Sequence, residues 1–178
     1  DKGSKGAART LDLYSQLKDR FGIQYTGLAE NQEEREKQNP LFVIRKGIRL
    51  ALTNMTYVTN LGATDHWPKV LYQNDKNTVA EAVRKGATGS DINIVLPHWG
   101  TEYELLHSDS QENTAEWLVN LGADIIIGSH PHVAQDKDEI NGVEVAYSLG
   151  NMVSNMSAAN TQLGLMATIR IAREPNGD

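Results

Sequence analysis

The sequence predicts an α/β fold, and two observations lead to that expectation. Two short apolar runs, residues 91–97 and 125–127, have the composition of buried parallel strands. Between them, residues 110–121 place apolar side chains at helical spacing and are followed by Gly122, which ends a helix well. A strand, a helix and a strand in this order predict a right-handed parallel crossover, with the loops after both strands at one edge of the sheet.

The other elements follow from local patterns along the chain. Residues 42–52 alternate around Lys46-Gly47, and residues 133–147 surround Asn141-Gly142; both patterns predict hairpins. The remaining predictions, in order, are a helix over 4–21 capped by Ser4 and ended by Gly22, a short strand over 23–27, a solvated turn or short helix over 31–37, a long loop over 54–70, a helix over 77–85, a closing strand over 163–171 and a tail over 173–178.

Length and composition narrow the class of protein. A chain of 178 residues suits one domain with its own core. The formal net charge is −6 and no dense run of Lys and Arg occurs, which argues against a nucleic-acid or anionic-membrane surface. Cysteine is absent, so disulfides and thiolate metal sites are excluded. No apolar run approaches the roughly 18 residues of a membrane span.

Three of the five histidines follow the two predicted strands. His98 comes directly after the first strand, and His130 and His132 come shortly after the second. One residue separates His130 from His132, so in an extended segment both rings would point to the same side. Because ligands of open α/β sheets bind at the carboxyl ends of strands, and imidazole is a common ligand of Zn, Mn and Fe, these histidines are candidate metal ligands. An ordinary packing role for a His-x-His pair remains the alternative.

Three sequence blocks resemble those of the CapA family of bacterial capsule and poly-γ-glutamate synthesis proteins (the CapA/PgsA family). They are His98-Trp99-Gly100-Thr101-Glu102-Tyr103, then residues 122–133, then Tyr147-Ser148-Leu149-Gly150-Asn151. That family is similar to calcineurin-like metallophosphoesterases. The resemblance therefore implies a metallophosphoesterase-like layered α/β/β/α sandwich, and a location in the bacterial cell envelope.

The resemblance also implies that residues 1–178 are the C-terminal portion of a single domain. Asp1-Lys2-Gly3 resembles the Asp-x-Gly that follows the family's Asn-Asn-His block. In the family, the part upstream of that position carries the first strands, aspartate ligands and any export signal. We therefore expect the N-terminal part of the sandwich to be missing from this chain.

By the same resemblance, His98 and His130 would bind one divalent ion and His132 a second. Two ions, of Mn, Zn or Fe, would activate a bridging water and clamp the oxygens of an anionic centre. The bridging carboxylate of such a pair has no candidate in this sequence. We therefore expect two ions in the full-length protein, and weak binding and no activity in this chain alone.

Two further residues are candidate catalytic groups. Glu102 would orient a ligand ring or act as a general acid or base, unless it is a helix-start or surface carboxylate. Asn151 would bond substrate or the histidine loop, unless it only forms a turn. His107 is predicted to face solvent.

Two functions from different classes follow from the resemblance. The first is a metal-dependent hydrolase or transferase acting on an anionic polymer (poly-γ-glutamate or capsule polysaccharide) or a phosphoester. The second is a non-catalytic component that binds polymer or anchors a capsule synthesis complex, because a fold does not guarantee an activity. A partial sandwich would expose apolar sheet surface, so self-association or a protein partner is also expected.

Overall fold

The computed structural model describes residues 2–60 and 66–172. Their helices are α1 (Gly3–Phe21), α2 (Gln32–Gln38), α3 (Lys76–Gly89) and α4 (Asp109–Asn120). Their strands are β1 (Leu28–Ala29), β2 (Leu41–Arg45), β3 (Ile48–Thr56), β4 (Lys69–Val70), β5 (Ile92–His98), β6 (Ile125–Ile127), β7 (Lys137–Ile140) and β8 (Val143–Ala146).

The fold is built on a six-stranded mixed sheet in the order β2-β3-β5-β6-β8-β7. The four central strands β3, β5, β6 and β8 are parallel to one another. The edge strands β2 and β7 are antiparallel, because each is joined to its neighbour by a hairpin. The sheet and its helices confirm the predicted α/β class, and the parallel pairing of β5 with β6 confirms the predicted crossover unit.

Helices α3 and α4 cover one face of this sheet. Parallel neighbours in register share a face, and the covered face includes Thr53, Val95, Ile126 and Val145. All four side chains are fully buried. Val95, Ile126 and Val145 belong to one hydrophobic core cluster. The same cluster contains apolar residues of both helices, namely Val79, Val83, Ala115 and Leu118. This packing fixes the strand ends from which the site is built.

The opposite face of the sheet is less covered. The alternate residues Leu50, Leu52, Ile125 and Ile127 are only half-buried although all are apolar. Ile94, which lies between Leu52 and Ile125 on this face, is buried, so the exposed apolar surface expected of a partial sandwich stays a prediction. Self-association through it remains a prediction.

Most of the predicted elements are confirmed, with small shifts of their ends. Helix α1 ends at Gly22, whose left-handed φ of 67° suits a glycine, but it begins at Gly3 with Lys2 as its N-cap, so Ser4 does not cap it. Helix α2 is capped by the Asn31 side chain, which accepts from the backbone of Glu34. Both predicted hairpins form, with positive φ at Lys46, Gly47, Asn141 and Gly142.

Two predicted strands are wrong. Residues 23–27 are irregular, and the nearest strand is the two-residue β1, which pairs with β4. Over residues 163–171, all of which are described, the one β-bridge is an isolated pair between Gly150 and Gly164, and Leu163, Leu165 and Met166 are exposed. Alternation of apolar residues predicts a strand only where a partner edge is available for hydrogen bonding. Residues 173–178, the predicted tail, lie outside the described residues.

Among the described helices, none is long and apolar enough to cross a membrane.

Candidate metal centre

The candidate site lies at the carboxyl edge of the four parallel strands. Because these strands run in one direction, the residues that follow them meet at one edge of the sheet. Thr56 ends β3 and His98 ends β5. His130 and Asn151 lie in the loops that follow β6 and β8. The sequence prediction that the histidine loops share one edge is confirmed: the rings of His98 and His130 have centroids 4.4 Å apart.

Backbone hydrogen bonds join the two histidine loops to each other. Ser129 N donates to Pro97 O at 2.9 Å, and Trp99 N donates to Ser129 O at 3.0 Å. These bonds continue the β5–β6 pairing past the end of β6, which is only three residues long. The loops are therefore held at fixed spacing by the same ladder that builds the sheet.

The backbone conformation that brings His130 and His132 together is not the one that the sequence predicts. The segment is not extended: His130 has φ of 107° and His132 has φ of 61°, both in the left-handed region. The expectation that extended alternation would align the rings is therefore wrong, although the ring centroids still lie 6.0 Å apart. Non-glycine residues in this region cost about 1–3 kcal/mol each and occur mainly at functional sites.

Glu102 joins these two histidines in a compact cluster. One ligand atom from each of Glu102, His130 and His132 lies within 4.8 Å of the others. His132 Nε2 is 4.0 Å from Glu102 Oε1. His98 adjoins this cluster through its contact with the His130 ring but is not one of the three. The site is therefore a carboxylate and two imidazoles with a third imidazole beside them.

Burial keeps two of the imidazoles uncharged. It lowers the pKa of His98 from its ordinary value of 6.5, and the nearby rings of His130 and His132 lower it further. Burial also lowers the pKa of His130, although the charge of Glu102 partly opposes this effect. Neutral imidazole is the form that binds metals. Both rings are therefore in the ligating form near neutral pH.

A backbone contact places Glu102 in the site. The next residue, Tyr103, donates its N–H to Pro131 O at 2.8 Å, which ties the Glu102 loop to the segment between the two histidines. The Tyr103 ring stacks near the His132 ring, with centroids 6.3 Å apart. Helix α4 begins only at Asp109, so the helix-start alternative for Glu102 is wrong. Its side chain is half exposed, which leaves the carboxylate accessible.

Asn151 contacts the histidine loop directly. Its Oδ1 lies 3.0 Å from His132 Nδ1, and its Nδ2 donates to His132 O at 3.2 Å. Nδ2 also donates to Thr161 O at 3.1 Å. Of the alternatives left open by the sequence, the bond to the histidine loop is the one present in the structure.

Two neighbours of the site were missed in the sequence because residues 54–70 were predicted to be a loop. Thr56 is the last residue of β3, and its Oγ1 lies 3.0 Å from His98 Nδ1. Tyr57 places its ring 5.4 Å from that of His130. The apolar alternation of β3 continues through Met55 on the covered face, and this was the signal that could have extended the strand to Thr56.

The solvent-facing prediction for His107 is wrong. Its Nδ1 lies 2.9 Å from Asp136 Oδ2, and its ring stacks on Tyr147 with centroids 3.9 Å apart. Tyr147 is fully buried and also contacts Trp99. His107 therefore packs with Tyr147 and Trp99 next to the site, and it is not one of the three clustered donors.

The donor set fits a divalent transition metal. Two imidazoles and one carboxylate suit Zn, Mn or Fe, whereas Mg and Ca prefer sites built only of oxygen. One carboxylate balances half the charge of one divalent ion, and no other carboxylate among the described residues joins the cluster. The fold and this cluster define a class of protein: an α/β protein with a potential metal-binding triad at the carboxyl edge of its sheet.

Comparison with known proteins assigns the chain to a family within that class. Residues 1–156 match the family described as bacterial capsule synthesis protein PGA_cap. The chain is 31% identical over 167 residues, 91% of its length, to a capsule biosynthesis protein CapA of Bacillus anthracis. It is 31% identical over 133 residues, 74% of its length, to a PGA biosynthesis protein CapA of Bacillus subtilis. The chain belongs to the CapA family of capsule synthesis proteins.

The match covers a minority of each relative. The chain spans 39% of the length of the Bacillus anthracis protein and 35% of that of the Bacillus subtilis protein. The family resemblance drawn from the three sequence blocks is confirmed.

Proposed function

We propose that the chain binds a divalent transition metal through Glu102, His130 and His132, with His98 as an adjacent ligand. We further propose that this centre serves a hydrolase that acts on an anionic polymer or phosphoester during capsule or poly-γ-glutamate synthesis. The observation that carries the proposal is the convergence of the three ligand atoms within 4.8 Å on loops from separate strands.

Two properties of the cluster support a hydrolytic role: its imidazoles can bind a metal, and its carboxylate is accessible to substrate. His130 and His132 present imidazole nitrogens, and burial favours the neutral form of the His130 ring. Glu102 supplies negative charge that holds a cation and is exposed enough to exchange a proton with substrate. A divalent ion held there would supply Lewis-acid stabilisation to an anionic oxygen.

The number of ions depends on donors beyond this cluster. The ligand assignment drawn from the resemblance, with His98 and His130 on one ion and His132 on the other, stays a prediction, as does the pair of ions in a full-length protein. Within the described residues the cluster offers one carboxylate. We therefore expect this chain to bind at most one ion, and to bind it weakly.

Metal titration of matched variants tests the proposal. Glu102→Gln removes a charge from the cluster, whereas Glu104→Gln removes a charge from an exposed residue two positions away. We expect Zn²⁺ or Mn²⁺ affinity to fall at least tenfold, roughly the effect of losing a ligand-shell group, in Glu102→Gln and His130→Ala and to change little in Glu104→Gln. Equal affinities in all four proteins would refute the metal site.

Hydrolysis is then tested separately, with the metal-loaded chain and a longer relative that contains its matched region. The probes are bis-p-nitrophenyl phosphate and poly-γ-glutamate. Activity that requires metal and disappears in the His98→Ala variant would support the enzyme. Polymer binding that survives His98→Ala, without hydrolysis of either probe, would favour the non-catalytic role.

A further inference from the structure

Two histidines of the site make hydrogen bonds through Nδ1 to partners whose other bonds reveal the position of the proton. The first partner is Thr56. Its Oγ1 donates to Val58 O at 2.7 Å and lies 3.0 Å from His98 Nδ1. A threonine hydroxyl has one proton, and a carbonyl oxygen can only accept. Because the proton is used on Val58, Oγ1 accepts from His98, so His98 carries its proton on Nδ1.

The second partner is Asn151, and the same reasoning applies. Its Nδ2 donates to the carbonyl oxygens of His132 and Thr161, at 3.2 and 3.1 Å. Exchanging the amide nitrogen and oxygen would point Oδ1 at two acceptors, so the hydrogen-bond network fixes the orientation. Oδ1 therefore faces His132 Nδ1 at 3.0 Å as an acceptor, and His132 also carries its proton on Nδ1.

We infer that Thr56 and Asn151 are positioning residues that hold His98 and His132 in the Nδ1–H tautomer, so that Nε2 of each ring is free to bind a cation. For His132, Nε2 lies 4.0 Å from Glu102 Oε1, which is too long for a hydrogen bond, so this contact does not place a proton on Nε2. An imidazole in the other tautomer would present a proton where a lone pair is needed. The link to cation binding rests on the proposed metal site, whereas the tautomers themselves are properties of the metal-free chain.

The two partners come from opposite sides of the sheet's central strands. Thr56 ends β3, one neighbour of β5, whereas Asn151 lies in the loop after β8, beyond β6. Thr56 is buried and Asn151 is half-buried, so water competes weakly for either bond. Each histidine is therefore bonded by a residue from a different part of the fold, and the two positions can be altered independently.

Nitrogen-15 NMR of the metal-free chain with labelled histidine tests the tautomers. At a pH where the rings are neutral, we expect His98 and His132 to show a protonated Nδ1 and an unprotonated Nε2. His98→Gln and His132→Gln assign the signals. Thr56→Val should shift the His98 signals towards a mixture of tautomers, and Thr56→Ser should restore them. Asn151→Leu should do the same for His132, whereas Asn151→Asp retains an acceptor at this position.

Thr56→Val and Asn151→Leu are controls for each other, because a general loss of structure would shift the NMR signals of both histidines. A protonated Nε2 in the unaltered chain, or Thr56→Val spectra identical to those of the unaltered chain, would overturn the inference. Where Asn151→Leu fails to fold, Asn151→Asp and the Thr56 pair still decide the outcome.

Zn²⁺ titration connects the tautomers to binding. We expect Thr56→Val and Asn151→Leu to weaken Zn²⁺ binding about 10- to 100-fold, the usual effect of removing a group that orients a ligand, and Thr56→Ser to retain affinity. Unchanged affinity in both variants of a chain that binds Zn²⁺ would overturn the positioning role. The inferred tautomers in a chain that binds no metal would instead overturn the proposed function.

Discussion

Trp99 Nε1 donates a hydrogen bond of 2.9 Å to the backbone carbonyl of Tyr147, directly against the backbone of Gly128. Both side chains are at most 2% exposed, and their ring centroids are 5.9 Å apart. Trp99 follows His98, and Gly128 precedes the His-x-His loop. The bond therefore joins the His98 loop to the segment that follows β8, and Gly128, at the start of the His-x-His loop, packs against both partners.

Gly128→Ala should destabilise the chain strongly. A Cβ at this position would lie 2.1 Å from Tyr147 O and 2.3 Å from Trp99 Nε1, and backbone cannot yield as a flexible side chain can. We expect the free energy of unfolding, measured by urea denaturation, to fall by about 3 kcal/mol. The control is Gly142→Ala, where no atom lies within 4 Å and only the φ of 83° is strained. It should lose about 1 kcal/mol, and equal losses would contradict the steric explanation.

Asn93→Leu should also destabilise the chain, because the buried amide joins two segments to β5. Asn93 Nδ2 donates to Val83 O at 2.9 Å and to Gly122 O at 2.8 Å. Leucine has a similar shape but leaves both carbonyls without this donor, and this loss exceeds the gain from removing the buried, unpaired Oδ1, for a net cost of about 1–3 kcal/mol. The exposed helix residue Asn113 is the matched control, and Asn113→Leu should change stability by less than about 0.5 kcal/mol. Thermal or urea unfolding distinguishes these values, and a small effect at Asn93 would show that water satisfies the carbonyls.

The metal-free chain should lose stability as the pH falls below about 6.5. Burial lowers the pKa of His98 and His130 in the folded chain, so the unfolded chain binds more protons between the ordinary value of 6.5 and the lowered values. The free energy of unfolding is therefore unaffected by the titration of these two histidines above pH 6.5. It decreases as the pH falls from 6.5 to the lowered pKa values. Urea unfolding with a chelator, from about pH 7.5 to pH 5, measures the slope. The double variant His98→Asn/His130→Asn should show a shallower decline, and parallel curves would contradict the assignment.

Tyr147→Phe should maintain or raise stability. The Tyr147 hydroxyl is buried and has no hydrogen-bond partner among the described residues, and burial raises its pKa to about 12. Removing an unpaired buried hydroxyl recovers about 1 kcal/mol of desolvation. The contrasting variant is Tyr25→Phe, which removes a hydroxyl that donates to Glu34 at 3.3 Å and should lose about 0.5–1 kcal/mol. A similar loss in both variants would indicate that Tyr147 has a partner.

Local patterns were sufficient for most of the elements. Apolar runs placed β5 and β6, and the Lys46-Gly47 and Asn141-Gly142 turns placed both hairpins. These signals act over a few residues and depend on backbone conformation or on a single buried face. The same kind of signal failed at residues 163–171, because a strand requires a pairing edge that lies elsewhere in the sequence.

The sequence by itself determined the α/β class, the histidine-bearing loops at one sheet edge and the family resemblance that the comparisons confirmed. Only the tertiary structure decided that Glu102 completes a cluster with His130 and His132, that Thr56 and Asn151 bond the rings, and that His107 lies next to the site. The reason is physical. The period of a strand predicts where its side chains point, but the His130–His132 segment has left-handed backbone and is bonded by Tyr103 and Asn151, which are distant in sequence.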